Sequence, residues 1–436
     1  MEGPPPSRRF RLSDAVAMTA ASPVFVLLLQ LLVIMAAGRG VGLLFRRVGQ
    51  TAVVGEMLAG VLLGPSLLGR ALPDVEAFLF PASSMPALHL ISQLGVVLFM
   101  FVVGMELDLD GLRHRARATV IISNVGIVVP FSLGALLSVY LYAGYAPSGV
   151  RFTTFALFSG VAMSITAFPV LARIISERGL AGTPLGTTGI GCAAMADVTA
   201  WCLLAVVLAV GRGSGLSAPL VAAACTALLG WVVLKLVRPN ATRIFGATAE
   251  LVAPPALLSL VLVFMFVAAL LTEISGIHAL FGAFLAGVAV GGAVGLRDPV
   301  RRAIEPLSSA VLVPVFFAYS GLRTEIGLVQ GWGGWLVCSA IIATAVAGKL
   351  GGTAAAARWT GMPWRESLAL GALMNTRGLM ELIVLNVGYD LGILSPALYT
   401  MMVVMALATT CMTGPMLGVL GPRPLIYRSS SADLAP

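Results

Sequence analysis

Apolar runs of about twenty residues recur along this chain almost without pause, joined by short linkers. A run of that length spans a bilayer's hydrocarbon core as a helix. In lipid every backbone N–H and C=O must find a partner inside the protein, so such spans are helical. About thirteen runs can be read, centred near residues 34, 58, 97, 130, 162, 200, 226, 260, 285, 313, 342, 378 and 408. The linkers leave no room for a soluble domain. The expectation is an all-α, polytopic membrane protein of about 13 transmembrane helices. Residues 1–20 form an N-terminal tail, 21–422 the membrane domain and 423–436 a short tail.

Composition excludes the rivals. Hydrophobic residues make up 58% of the 436, and charged residues only 11%, against ~25% for soluble domains. A soluble enzyme, a disordered chain and a disulfide scaffold all fail on those figures. The net charge of +8 could suggest nucleic acid, but cytoplasmic loops of membrane proteins collect Lys and Arg. The five cysteines lie in apolar stretches with no CxxC, and the three histidines form no cluster. They give no sign of a zinc site. No cofactor is expected.

The loops alternate in charge. Those after odd-numbered spans carry Arg46, Arg47, Arg113, Arg115, Arg117, Arg173, Arg178, Lys235, Arg238, Arg243, Arg297, Arg301, Arg302, Arg358 and Arg365. Those after even-numbered spans carry only Arg70, Arg151, Arg212 and Arg323. The positive-inside rule puts the first set in the cytoplasm. The N-terminus then lies outside and the C-terminus inside. Arg8, Arg9 and Arg11 run against this assignment; an uncleaved signal anchor, or one span fewer, removes the conflict. The apolar run from Ala15 to Gly38 exceeds a typical signal-peptide core, which argues against cleavage.

A charge at bilayer depth costs at least ~2.5–3.5 kcal/mol on insertion scales, so it has a partner or a job. Asp197 is the most isolated, with no other charge from Gly189 to Val210. A carboxylate there is either protonated or holds a cation, and the two states exclude each other at one site. The plainer alternative is a packing hydrogen bond between helices. Glu381 follows Arg377 by four residues, on one helix face, which suits a structural ion pair. Glu56 is an alternative partner for Arg377 from another helix. Lys349 lies about two and a half turns from Arg358, so it either works at depth or snorkels to the interface.

Two spans carry interruptions. In the fifth, Pro169 removes a backbone donor and clashes one turn back, with Ser164 and Thr166 placed to bond the freed carbonyls. In the twelfth the interruption is Asn375-Thr376-Arg377-Gly378. Spans one to six (about 23–210) and eight to thirteen (about 248–420) form two sets, with the seventh as connector. An odd number between them inverts the second set, and each break is then the fifth span of its repeat. Matched interruptions in inverted repeats point to a transporter site.

Three stretches, SITAFPVLARIISERGL, GTTGIGCAAMADVTAWCLLA and MNTRGLMELIVLNVGYDLGILSPALYTMMVVMALATT, closely resemble monovalent cation:proton antiporters. The nearest branch holds the plant cation/proton exchangers and the bacterial potassium-efflux and sodium/proton antiporters. VVGEMLAGVLLGPSLLG and LGVVLFMFVVGMELDL resemble its second and third spans. The resemblance covers about residues 23 to 420. It implies a core domain that moves against a dimerisation domain, and a homodimer. It places the family's essential aspartate at Asp197, its discontinuous helix around Ser164, Thr166 and Ala167, and its membrane lysine at Lys349.

One departure stands out. The family has Asp-Asp or Asn-Asp where this chain has Ala196-Asp197, leaving a single carboxylate. The expectation is one Na+ or K+ exchanged for one proton across the cell membrane, electroneutral, with Thr166 and Ser164 completing the cation's shell. Lys349 is the candidate second charge. The alternative is a proton-coupled exporter of an organic cation, or a transport-inactive relative acting as a sensor. Neither a channel filter nor an intramembrane enzyme's catalytic set can be read in the sequence.

Overall fold

The computed structural model describes residues 22–420, apart from 49, 107–115, 181–182, 212–216, 247–253, 276–278 and 294. The two tails, with Arg8, Arg9 and Arg11, lie outside the described residues, as do Arg113 and Arg115.

Among the described residues the longer helices fall into thirteen runs, with short turns at Leu68–Ala71 and Pro73–Leu79 between the second and third. In chain order they are α1 (Pro23–Arg47), α2 (Ala52–Leu63), α3 (Met85–Glu106), α4 (Ala116–Tyr145), α5a (Phe152–Ser164), α5b (Phe168–Glu177), α6 (Pro184–Gly211), α7 (217–246), α8 (Pro254–Ile274) and α9 (Ala279–Gly291). There follow α10 (297–322), α11 (Gly331–Trp359), α12a (Trp364–Met374), α12b (Leu379–Asp390) and α13 (Pro396–Leu420). The sequence-derived centres all fall on these runs or, for 378, in the break between α12a and α12b. Among the described residues, eight helical stretches are long and apolar enough to cross a membrane whole. The α5 and α12 runs are each split in two.

Burial follows helical geometry. On α1 the buried residues are Gln30, Ile34, Gly38 and Gly42, four apart and therefore one stripe. The rest of that helix turns Leu28, Leu32, Leu43 and Leu44 outward, as lipid requires. Gln30 satisfies its amide nitrogen on the Leu79 carbonyl at 2.8 Å and the Ser84 hydroxyl at 2.7 Å.

The helices pack as two groups. In one, α1, α2, α3, α8, α9 and α10 lie against one another; in the other, α4, α5, α6, α11, α12 and α13 do. The α7 run touches α6 on one side and α9 on the other. Contacts between the groups are sparse, chiefly α2 with α13 and α10 with α12b. Small residues let backbones meet within the first group, as is common in membrane helices. A Cβ on Gly321 would stand 2.0 Å from the carbonyl carbon of Gly60, so α2 and α10 touch there main chain to main chain.

Candidate functional site

The two interruptions meet. α5a ends at Ser164, the chain runs extended through Ile165, Thr166 and Ala167, and α5b starts at Phe168. Pro169 therefore sits in the first turn of α5b, where a missing N–H costs nothing; the break falls just before it. α12a ends at Met374 and α12b starts at Leu379, and Gly378 adopts φ 158° and ψ −126°, a conformation reserved for glycine. The Ala167 N–H donates to the Thr376 carbonyl at 3.0 Å, and the Thr166 hydroxyl donates to the Met374 carbonyl at 3.1 Å. Thus each break satisfies backbone or side-chain groups of the other. The sequence reading had Thr166 bonding carbonyls of its own helix; the partner is on the other broken helix. Ser164 does stay local, donating to Val161 at 2.8 Å. Both hydroxyls keep oxygen lone pairs free to ligate.

A helix end leaves its last carbonyls without N–H partners. At the end of α5a two buried cations take them. Arg377 donates to Ala162 at 3.0 Å and to Met163 at 2.6 Å, and Lys349 donates to the Ser164 carbonyl. The negative end of that half-helix dipole is a favourable place for positive charge. Arg377 also pairs with Glu381 at 3.0 Å, with both side chains fully buried, as the four-residue spacing suggests. Its backbone N–H donates to the Thr410 hydroxyl at 2.9 Å, which ties the break to α13. The charged groups of Arg377 and Glu381 thus serve each other and the break. Glu56 lies elsewhere: its side chain stands against Gly38 and Gly42 and lines a separate cavity.

Lys349 does not snorkel. Its side chain is fully buried, on a wider, π-type turn of α11 at Ala347–Gly351, a feature frequent at functional sites. Its second acceptor is the Gly126 carbonyl of α4, at 2.8 Å. Four residues on from Gly126 stands Pro130, which has no N–H to give that carbonyl. Gly348 allows the approach, since a Cβ there would lie 2.8 Å from the Pro130 Cα. All four carbonyls held by Lys349 and Arg377 are thus ones that a helix end or a proline has freed. Pro130 was the signal in the sequence that could have located this partner.

Asp197 stands on α6 at 2% exposure. Among the described residues, neither carboxylate oxygen has a hydrogen-bond partner. The backbone N–H of Phe168, the first residue of α5b, faces the carboxylate but falls outside hydrogen-bond geometry. The packing-bond alternative for Asp197 therefore has no partner here. Leaving a buried charged group unsatisfied costs more than the ~1–3 kcal/mol of a neutral one. A proton or a cation on Asp197 removes that cost. Asn375, read in sequence as a helix breaker, is fully buried, and neither its amide oxygen nor its nitrogen has a partner.

Two features at opposite ends of α10 complete the picture. A cavity of about 720 Å³ is lined by Arg39, Glu56, Glu106, Arg301 and Glu305 and reaches Val170 and Ala172 of α5b. Arg301 bridges Glu106 at 3.0 Å and Glu305 at 3.3 Å within it. Towards the other end of α10, Arg323 pairs with Asp390 and donates to Asn386 at 3.0 Å. It lies 4.4 Å from the Tyr389 ring centre and 5.3 Å from that of Tyr319. Asn386 donates to the Ser320 hydroxyl at 2.8 Å. This clasp joins α10, from the first group, to α12b, from the second.

The comparisons agree with one another. The family model described as "Sodium/hydrogen exchanger, transmembrane" matches residues 20–421. A Na(+)/H(+) antiporter of Synechocystis sp. is 42% identical, over 92% of this chain and 98% of its own length. Cation/H(+) antiporter 20 of Arabidopsis thaliana is 38% identical over 89% of this chain, and K(+)/H(+) antiporter 1 of Saccharomyces cerevisiae 31% over 92%. The chain spans about half the length of those two, 48% and 47%. In fold it is similar to the sodium proton antiporter of Methanocaldococcus jannaschii, at a TM-score of 0.65 and 14% identity over 94% of this chain and 96% of that one. With the family model matching nearly end to end and a relative of the same extent, this chain belongs to the sodium/hydrogen exchanger family.

Proposed function

We propose that this protein is a secondary-active antiporter that exchanges a monovalent cation, Na+ or K+, for protons by alternating access. The observation that carries this reading is Asp197: a carboxylate buried beside two crossing helix breaks, with no hydrogen-bond partner of its own. Deprotonated, it binds the partly dehydrated cation, with the Thr166 and Ser164 oxygens and carbonyls of the α5 break completing the shell. Protonated, it needs no cation. An ion-free charged Asp197 is costly to carry across, so only loaded forms move.

Stoichiometry follows from the buried charges. Asp197, Lys349, Arg377 and Glu381 are all buried. With both cations and both carboxylates charged, they sum to zero. Loading either a proton or a monovalent cation then adds one positive charge. Both loaded forms carry the same charge, so exchange is one to one and electroneutral. Lys349 donates to two carbonyls, and this reading keeps it protonated through the cycle.

The reading includes thirteen spans in two inverted repeats, the arginine-rich loops in the cytoplasm and the N-terminus outside, in a cell membrane. The second helix group is the mobile core. The first is the dimerisation domain of a homodimer, a role carried over from the family resemblance. On this orientation the Arg301 cavity is the cytoplasmic entrance.

The test is cation-induced proton movement in proteoliposomes with a pH dye inside, Na+ and K+ added separately. The expected result is dequenching that ignores a clamp of membrane potential and weakens as pH falls, where protons displace the cation from Asp197. If two protons crossed per cation, a 100 mV clamp would shift the driving force by ~2.3 kcal/mol. A clamp response would make Lys349 the second charge. No signal with any alkali cation overturns the antiport reading.

A further inference from the structure

We infer that Asn375 is a direct ligand of the transported cation and sets its selectivity, an inference that rests on the antiport reading above. Three observations converge. First, Asn375 is fully buried and both ends of its amide lack a partner. A buried amide is nearly always satisfied, so an orphaned one calls for an explanation. Second, the backbone on either side of it is already bound to the α5 break: Met374 accepts from Thr166 and Thr376 accepts from Ala167. Third, the unpartnered Asp197 carboxylate is faced by Phe168, the next residue along that same break. The residues flanking Asn375 and the Asp197 carboxylate thus border one stretch of four residues, Ile165 to Phe168, from two different helices.

The chemistry suits the position. An amide oxygen is a hard, neutral ligand of the type that replaces water around an alkali cation, as backbone carbonyls do in channels. The unpartnered amide oxygen is therefore free to take that role. The position preceding Asp197 is Ala196, which has no polar atom to offer, so a second side-chain amide near the carboxylate has to come from another helix.

The experiment measures Na+, K+ and Li+ binding to the detergent-solubilised protein by thermal shift, together with exchange in proteoliposomes. Asn375→Ala is expected to raise the apparent Kd and KM for the preferred cation roughly tenfold, the scale of one lost bond to a charged group. The loss should fall on affinity more than on maximal rate, and the Na+/K+ ratio should change. A packing role would lower stability and leave both ratios alone. Asn375→Asp keeps the shape, so it decides the matter if the alanine variant does not fold. It keeps an oxygen ligand, adds a carboxylate, and should make exchange respond to voltage. Unchanged affinity and selectivity in both variants would overturn the assignment of Asn375 while leaving antiport at Asp197 standing. A wild-type protein that binds none of the three cations overturns both.

Discussion

Proteoliposomes carrying Asp197→Asn are expected to show no cation-driven proton movement, at the level of protein-free vesicles, while the protein itself becomes more stable. The two effects have one cause. Asparagine has the same shape but cannot alternate between a proton and a cation, so neither loaded form exists. It also removes a charge buried without any hydrogen-bond partner. The desolvation of that carboxylate outweighs its attraction to Lys349, so replacing it by a neutral amide lifts more than it loses. Melting of the detergent-solubilised protein should therefore rise, and cation-dependent stabilisation should vanish. Exchange preserved in this variant would remove Asp197 from the mechanism. Exchange lost together with the fold would make Asp197 a structural residue.

Arg377→Leu is expected to have the opposite profile, a collapse of stability. The substitution leaves Glu381 buried and unpaired, which typically costs 3–5 kcal/mol. It also orphans the Ala162 and Met163 carbonyls at the end of α5a, at ~1–3 kcal/mol each. Arg377→Lys recovers little, because one ammonium on a flexible stem cannot reproduce a planar fork that spans three acceptors. Arg377→Leu combined with Glu381→Leu recovers the ion-pair part, since a buried pair is replaceable by apolar groups, but leaves the carbonyls stranded. The order of stability is wild type, then the double variant, then Arg377→Leu. With the part-exposed Cys225 and Cys411 replaced by Ser, buried Cys192 and Cys338 let a thiol-reactive dye report melting. Equal stability of the single and double variants would show that Glu381 is not held by Arg377.

The sequence carried much of the fold because lipid makes helical spans legible as apolar runs, and it marked both interruptions. The i,i+4 spacing of Arg377 and Glu381 was readable for the same reason: it is local. What stayed hidden depends on backbone carbonyls, which have no letter in a sequence. The acceptors of Lys349 lie on α4 and α5a, more than 180 residues away in chain order. Glu56 was a plausible partner for Arg377 by charge alone, and only packing places it against α1 instead. Asn375 looked like a helix breaker because its unpartnered amide shows only once every neighbour is in place.

The clasp of Arg323 on Asp390 has a consequence for inhibition. It is built from residues of both helix groups, so, on the reading that one group moves against the other, that movement strains or parts it. A rigid binder, such as an antibody fragment, that gripped α10 and α12b at once would therefore arrest turnover without competing for the transported cation. Raising the cation concentration would not relieve such a block.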